Sequence, residues 1–351
     1  MKVIHFIVQC SCFMCWRKVA FMFADRKEIN VVFLGGSITQ GAGVVDKSKC
    51  FANMTGEWLK NRFGAEKLNY YNEGIGGTPS FYGLLRFNRD VAAHNPDMVF
   101  IEFAVNDNGT DSRIYIEGLV RSLLKLPKKP YVVFLYTTSH DYTTSTENFE
   151  QVAQYYGIPQ ISLKDALKNE LSGKDALQEG YLADGVHPAE KGYFVYYKEM
   201  VRCLENSEYY KQPLEKERMF EGTFCADTTF TPATNFAHDG WVEVEKYGRT
   251  GIFSEKEGQV FEFEFDGDIL GFEHGIHQAS GTYNVYVDGK FVGTGDSYYD
   301  CKGNEDQPVF GYRTTDLENT HHKVRIETAK GKLDGERILI YKIISGEKNK
   351  Y

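Results

Sequence analysis

Four side chains in this 351-residue sequence have the types and surroundings that acyl-transfer chemistry requires. Ser37 follows an apolar run and two glycines, and Asn106 stands in the polar stretch after another apolar run. Asp184 lies three residues before His187. Acyl transfer by serine needs a nucleophile, a base, a group that orients the base and donors for the oxyanion. The set fits serine catalysis, whereas a serine after two glycines, taken by itself, is more often a loop residue that caps a helix.

The elements that could position these residues alternate along residues 30–206. Short apolar runs separated by segments with helical spacing predict βαβ units, with a parallel sheet between two layers of helices. The predicted strands are 31–35, 68–71, 98–103, 131–136 and 158–161, and the predicted helices are 47–63, 80–94, 112–126, 145–156 and 188–205.

The candidate residues fall at the ends of these predicted elements. In an open α/β sheet, ligands bind outside the carboxyl ends of the strands. Polar or glycine-rich segments follow the first three strands and precede the last helix; they are residues 35–37, 72–78, 104–109 and 183–192. We therefore expect the serine, a glycine-rich backbone, the asparagine and the Asp–His pair to meet at one edge of the sheet.

These segments resemble the four sequence blocks of the SGNH hydrolases, the superfamily of GDSL-type esterases, lipases and carbohydrate deacetylases. The blocks, in order, are GGSIT (35–39), NEGIGG (72–77), AVND (104–107) and DGVHP (184–188). Two positions depart from the usual pattern, because Gly36 stands where the commonest block has Asp and Ala104 where it usually has Gly. The resemblance implies a flavodoxin-like three-layer hydrolase domain.

The same resemblance implies roles for the candidate residues. Ser37 would attack the acyl carbonyl, His187 would act as general base, and Asp184 would orient the imidazole and stabilise its cation. Asp107 is the rival acid, although its position favours a part in ordering the asparagine loop. His140, just after the fourth predicted strand, is an alternative residue that could line the site.

The oxyanion would be stabilised by three donors, namely the Ser37 N–H, the Gly77 N–H and the Asn106 side-chain amide. The register of the glycine block leaves Gly76 as the alternative to Gly77. The resemblance requires no metal and no organic cofactor.

A second region with a different pattern follows a polar segment, 207–218, that reads as a linker. Residues 219–347 predict an all-β sandwich or jelly roll that resembles a carbohydrate-binding module. The predicted strands are 259–265, 283–293 with a hairpin turn at Asp288-Gly289, 323–328, and the central strand 337–344. In the stretch EHGIHQ, His277 and Gln278 are candidate sugar contacts, and the alternatives are a metal contact or a polar loop without function. Trp241 could stack on a sugar, but a core position is the more usual one for a lone Trp.

Composition limits the partners and the compartment. A net charge of −9 gives no basic footprint for nucleic acid and no attraction to an anionic membrane. Seven cysteines at irregular spacing argue against a disulfide framework and favour a cytoplasmic location. The apolar start resembles a poor signal peptide, so residues 1–29 are predicted as an arm or helix, with secretion as the alternative. The oligomeric state stays open, a homo-oligomer included.

The two-domain layout resembles carbohydrate acetylesterases of the mannan and xylan type. The expected function is therefore a serine esterase that removes acetyl groups from oligosaccharide hydroxyls through an acyl-enzyme. One alternative is a lipase or thioesterase that acts on longer acyl chains. A second alternative is a non-catalytic glycan-binding protein, which the complete set of catalytic residues argues against.

Overall fold

The structure is a computed structural model that describes Phe23 and residues 26–64, 66–300 and 306–349. It divides into two compact units, one ending at Phe224 and the other beginning at Cys225. The arm or helix predicted over residues 1–29 lies outside the described residues, apart from Phe23 and 26–29.

The first unit is built on a five-stranded parallel sheet, as its strand–helix alternation predicts. The strands are β1 (Ile29–Gly35), β2 (Leu68–Gly74), β3 (Met98–Glu102), β4 (Tyr131–Tyr136) and β5 (Gln160–Ser162). Their order across the sheet is β2-β1-β3-β4-β5. Every residue of β1 and β3 is buried, which explains their unbroken apolar runs.

Helices connect these strands and cover the sheet. They are α1 (Ser37–Gln40), α2 (Phe51–Phe63), α3 (Ser80–Leu85), α4 (Phe87–Asp90), α5 (Arg113–Lys125), α6 (Thr146–Tyr156), α7 (Leu163–Leu171) and α8 (Glu190–Leu204). The helix predicted over 80–94 is wrong as a single element, because the backbone leaves the helical conformation at Arg86 and Val91. Helix α7 was not predicted, although the Ser162 side chain accepts from the Asp165 N–H at its start (3.1 Å).

The segment that reads as a linker, 207–218, packs within the first unit. The Leu214 N–H donates to the Tyr156 carbonyl (2.8 Å), and the Lys211 carbonyl accepts from the Val132 N–H (3.2 Å). Beyond it, the buried Glu117 carboxylate accepts from the Phe220 N–H (2.9 Å). The charged composition of the segment predicts a solvent-exposed linker. Its backbone groups nevertheless hydrogen-bond to other parts of the first unit.

The second unit is a β-sandwich made of antiparallel ladders. One sheet contains β6 (Cys225–Pro232), β7 (Val242–Lys246), β8 (Arg249–Ser254), β10 (Ile269–Ile276), β13 (Gln307–Thr314) and β15 (Ile338–Asn349); the other contains β9 (Val260–Gly267), β11 (Thr282–Val287), β12 (Lys290–Asp296) and β14 (Thr320–Ala329). Apolar side chains from both sheets form one core. The prediction that 337–344 is a central strand is confirmed, because β15 pairs on both sides.

Within the described part of the chain, no helix combines the length and the hydropathy that a membrane crossing would need.

Candidate active site

The candidate site lies at the point where the order of the parallel strands reverses. Strand β1 lies between β2 and β3, so the connection that follows β1 runs towards β2, whereas the connection that follows β3 runs towards β4 in the opposite direction. Ser37 begins the one-turn helix α1 directly after β1, and Asn106 follows β3. The fold therefore brings the serine and asparagine segments together, as the position of the sequence blocks predicts.

Ser37, His187 and Asp184 form one continuous chain of hydrogen bonds. The His187 Nε2 atom lies 2.9 Å from Ser37 Oγ, and Nδ1 lies 2.8 Å from Asp184 Oδ2. Since a carboxylate can only accept, Nδ1 carries the hydrogen, and this leaves Nε2 free to accept from the Ser37 hydroxyl. A neutral imidazole in this tautomer is ready to take the serine proton.

The Asp184 carboxylate is held in its ionised form. Partial burial acts to raise its pKa, but hydrogen bonds from the His187 ring and from the backbone N–H groups of His187 and Val186 outweigh burial and lower it. These backbone bonds, 2.7 and 2.8 Å to Oδ1, also fix the turn that places His187. The turn thus explains the spacing, because residues three positions apart can form both the backbone bond and the contact between the carboxylate and the imidazole.

The loop after α1 packs against the histidine turn. A Cβ atom at Gly43 would lie 2.3 Å from the Pro188 carbonyl oxygen and 3.1 Å from His187 Cβ, and Gly43 has a φ of +90°. Only glycine fits both the space and the backbone conformation. Behind this loop, the buried Tyr193 hydroxyl contacts the carbonyls of Ile38 and Ala42, at 3.0 and 2.7 Å.

The glycine block leaves one N–H group available where it approaches α1. The N–H groups of residues 74–76 are all engaged, by Asn72 Oδ1 (3.1 Å), the Gly35 carbonyl (3.0 Å) and Gln40 Oε1 (3.1 Å) in that order. Among the described residues, nothing accepts the N–H of Gly77, whose φ is +71°. The geometry therefore favours Gly77 over Gly76 as an oxyanion donor.

The Asn106 side chain lies directly against the backbone that precedes Ser37. A Cβ atom at Gly36 would lie 2.1 Å from Asn106 Oδ1, so the glycine that departs from the usual block is needed for this contact. In the described part of the chain, the Asn106 amide and the Ser37 N–H have no hydrogen-bond partner. Three donors are thus left unused in the serine, glycine and asparagine blocks: these two and the Gly77 N–H.

Asp107, the rival acid, is engaged elsewhere. Its Oδ1 atom accepts from the Ser80 N–H (2.8 Å) at the start of α3, and the Ser145 hydroxyl donates to its carbonyl (3.0 Å). It is almost fully buried, and this burial raises its pKa. Among the described residues it forms no hydrogen bond or ion pair with His187, so its geometry fits the ordering of the asparagine loop.

Two other histidines have partners of their own. The His140 Nε2 atom lies 2.8 Å from Asp175 Oδ2, and its backbone N–H donates to the Gly185 carbonyl (2.9 Å) in the histidine turn. His94 Nε2 contacts Glu73 Oε1 at 2.8 Å. His140 therefore supports the turn through its backbone.

Two buried ionisable residues that sequence reasoning missed lie beneath the site. Glu102, at the end of β3, accepts from the hydroxyls of Thr39 (2.8 Å) and Thr137 (2.6 Å), and burial raises its pKa to about 7. Arg86, at the break after α3, is completely buried and donates to the Gly35 and Glu73 carbonyls. The only signal in the sequence was a charge at the end of an apolar run.

In the second unit, the EHGIHQ stretch belongs largely to strand β10. His274 is buried, with Nδ1 3.0 Å from the Tyr283 hydroxyl and 2.9 Å from Ser297 Oγ. His277 is half-buried, and its Nδ1 atom accepts from the Ala279 N–H (2.9 Å), whereas Gln278 is exposed. A role of His277 and Gln278 in sugar binding stays a prediction.

Trp241 is a core residue of the second unit. It is 6% exposed, packs in the shared core, and donates from Nε1 to the Val260 carbonyl (2.8 Å). Its ring is therefore not presented to a ligand.

No group of three or more His, Cys, Asp or Glu residues in the described ranges has the arrangement of a metal site.

Comparison with known proteins finds a family model that matches most of the first unit. Residues 33–194 match the model of the GDSL-like Lipase/Acylhydrolase family. No curated protein shows significant similarity to the sequence.

Solved structures resemble the chain in fold. A two-domain esterase (CEX) active on acetylated mannans is 22% identical, with a TM-score of 0.80 over 95% of each chain. Its structure co-crystallised with mannopentaose gives the same TM-score and coverage at 23% identity. A catalytic mutant of an acetylxylan esterase from Geobacillus stearothermophilus is 16% identical and covers 51% of this chain and 95% of that chain, with a TM-score of 0.44.

Proposed function

Because residues 33–194 match the model of the GDSL-like Lipase/Acylhydrolase family, we propose that this protein removes acetyl groups from sugar hydroxyls by serine catalysis. The match to this family model supports a carboxylic ester hydrolase. The proposal adds the residues that perform the reaction, the acyl group and the alcohol.

The observation that carries the proposed mechanism is the hydrogen-bonded chain from Asp184 through His187 to Ser37. Ser37 Oγ attacks the acyl carbon while its proton moves to His187 Nε2. The carbonyl electron pair moves to the oxygen, and the oxyanion accepts hydrogen bonds from the Ser37 N–H, the Gly77 N–H and the Asn106 amide.

Collapse of the tetrahedral intermediate breaks the bond to the sugar oxygen. The imidazolium of His187 gives its proton to that oxygen, and Asp184 stabilises the cation until then. Water repeats the sequence: His187 takes its proton, the hydroxide attacks the acetyl carbon, and acetate leaves as the proton returns to Ser37 Oγ. Every proton taken by the imidazole is returned, so no cofactor is consumed.

The proposed acetyl-sugar specificity is supported by the two-unit layout. The esterase active on acetylated mannans matches this chain over 95% of both, so the likeness includes the second unit as well as the first. The acetyl group is small, so the sugar must provide most of the binding energy. A β-sandwich that resembles a carbohydrate-binding module, next to the hydrolase unit in sequence, is consistent with such a substrate.

The decisive experiment is mass spectrometry of acetylated manno- and xylo-oligosaccharides incubated with the protein. We expect successive losses of acetyl groups, with none for Ser37→Ala and undiminished losses for Ser48→Ala, an exposed serine in the same region. A preference for longer nitrophenyl esters over the acetate would instead favour a lipase or thioesterase. Glycan binding without any hydrolysis would contradict the proposal altogether.

A further inference from the structure

A buried cation lies directly under the two backbone segments that carry the proposed oxyanion donors. The Arg86 side chain is fully buried. Its Nη2 atom donates to the Gly35 carbonyl (2.9 Å), and Nη1 donates to the Glu73 carbonyl (2.8 Å) and to Asp90 Oδ2 (2.7 Å). One guanidinium therefore joins the ends of β1 and β2.

The two carbonyls belong to the segments whose spacing defines the oxyanion hole. Gly35 is two residues before Ser37, and Glu73 is four residues before Gly77. The β1–β2 ladder ends at the pair Gly35 and Gly74, where the two chains turn towards the site. Arg86 thus holds one carbonyl at the end of each strand, just before the segments that carry both donors.

Stability alone is a poor explanation for a charge at this position. Removing a guanidinium from water is costly, and a buried ion pair is often matched or exceeded in stability by apolar side chains of similar volume. Asp90 offsets the charge: burial acts to raise its pKa, but bonds from Arg89 and Arg86 lower it, so the carboxylate is ionised. What an apolar residue could not provide is a rigid planar fork that binds two carbonyls at a fixed separation.

We propose that Arg86 is the positioning residue of the oxyanion hole, which fixes the Gly35 and Glu73 carbonyls so that the N–H groups of Ser37 and Gly77 converge on one oxygen. The inference rests on the proposed function of these two donors. Arg86 acts through the backbone and does not touch the substrate.

The test compares variants that separate positioning from stability. Arg86→Lys keeps the charge but lacks the fork, whereas Asp90→Asn breaks the same ion pair and leaves both carbonyl bonds in place. Arg86→Gln with Asp90→Asn removes both buried charges, so that no uncompensated charge remains if Arg86→Lys folds poorly. Turnover of nitrophenyl acetate is measured per active site, with sites counted by titration with a fluorophosphonate.

We expect Arg86→Lys to lower kcat by about 10- to 100-fold with little change in KM. A misaligned donor stabilises the oxyanion less, and the oxyanion develops only in the transition state. Asp90→Asn should lose thermal stability but keep kcat within about threefold. The double variant should show the low kcat of Arg86→Lys. Equal kcat per site in all variants, or an equal fall in Asp90→Asn, would overturn the inference.

A second readout reports the hole itself. Trifluoroacetone forms a hemiketal with an active-site serine, and the pKa of its oxygen, followed by ¹⁹F NMR, falls when the hole stabilises the oxyanion. This pKa should be higher in Arg86→Lys than in the wild type and unchanged in Asp90→Asn. A wild-type protein that forms no hemiketal and does not react with the fluorophosphonate would refute the proposed function instead.

Discussion

Asn106 is the oxyanion donor whose contribution can be isolated by one substitution. Asn106→Ala should lower kcat by about 10²- to 10³-fold and leave KM nearly unchanged, because the bond to the substrate oxygen strengthens in the transition state. Steady-state kinetics with nitrophenyl acetate provide the measurement. Asn108→Ala, an exposed asparagine of the same turn, is the matched control. A rise in KM at constant kcat would mean that Asn106 binds the ground state.

Replacing Asp184 and Asp107 by asparagine should have different effects, one on catalysis and the other on stability. Asp184→Asn should reduce kcat less than Ser37→Ala does, because the base survives with a poorer tautomer preference. Asp107→Asn should mainly lower thermal stability, since Asp107 Oδ1 holds the Ser80 N–H. Steady-state kinetics and melting curves of both variants provide the test. A larger loss of kcat in Asp107→Asn than in Asp184→Asn would show that Asp107, and not Asp184, orients His187.

At the residue scale, the placement of a candidate site residue can be predicted when the strand end before it is readable in the sequence. Ser37 and Asn106 each follow an apolar run, and the Asp–His turn needs only local spacing. Glu102 could not be predicted, because its partners Thr39 and Thr137 lie 63 and 35 residues away in sequence. Burial of a charge depends on such distant partners, which no local pattern records.

At the element scale, Glu102 joins three elements: its carboxylate, at the end of β3, accepts from Thr39 in α1 and from Thr137 just after β4. Burial raises its pKa from 4.5 to about 7, so the folded state favours the neutral acid. Its contribution to stability is therefore complete below about pH 4.5 and is lost as the pH rises through 7. For this buried group the loss amounts to roughly 3 kcal/mol.

Glu102→Gln should remove this pH dependence, because the amide keeps the two threonine contacts and carries no charge. Calorimetry between pH 4.5 and 8 should show a smaller fall in melting temperature for Glu102→Gln than for the wild type. The exposed Glu221→Gln is the control and should follow the wild type. An unchanged slope in Glu102→Gln would show that Glu102 is ionised throughout this range.

Elements were predicted best where burial is continuous and worst where long-range contacts override local pattern. The parallel strands β1 to β4 follow their apolar runs, whereas the helix over 80–94 breaks at Arg86, whose side chain is drawn to the Gly35 and Glu73 carbonyls. In the second unit, β10 was not predicted, because buried polar residues such as Glu273 and His274 conceal its core face.

At the scale of the whole molecule, the order of an α/β unit and a β-sandwich was readable from the change in periodicity near residue 219. The sequence could not place the division between the units, because the polar segment before it is held by backbone hydrogen bonds, as at Leu214. Composition predicts that such a segment is exposed. It does not show which carbonyl groups will accept hydrogen bonds from the backbone of the segment.

The remaining question at this scale is whether the second unit contributes to substrate recognition. An acetyl group provides little binding energy, so discrimination among esters must come from the sugar. We propose that His277 and Gln278 bind sugar hydroxyls, because imidazole and amide groups suit them and both side chains are at least partly exposed. Because His277 Nδ1 accepts from the Ala279 N–H, the hydrogen of the neutral ring is on Nε2, which can donate to a ligand.

The variant His277→Ala with Gln278→Ala should therefore lower kcat/KM on acetylated oligosaccharides by about tenfold or more, and on nitrophenyl acetate by less than about threefold. A desolvated sugar hydrogen bond contributes roughly 1 kcal/mol, so two lost bonds account for an effect of this size. Thr294→Ala, a change on another exposed strand of the same unit, is the control for general damage. Equal losses on both substrates would indicate a folding defect, and no loss on either would show that the esterase selects its sugar without these two side chains.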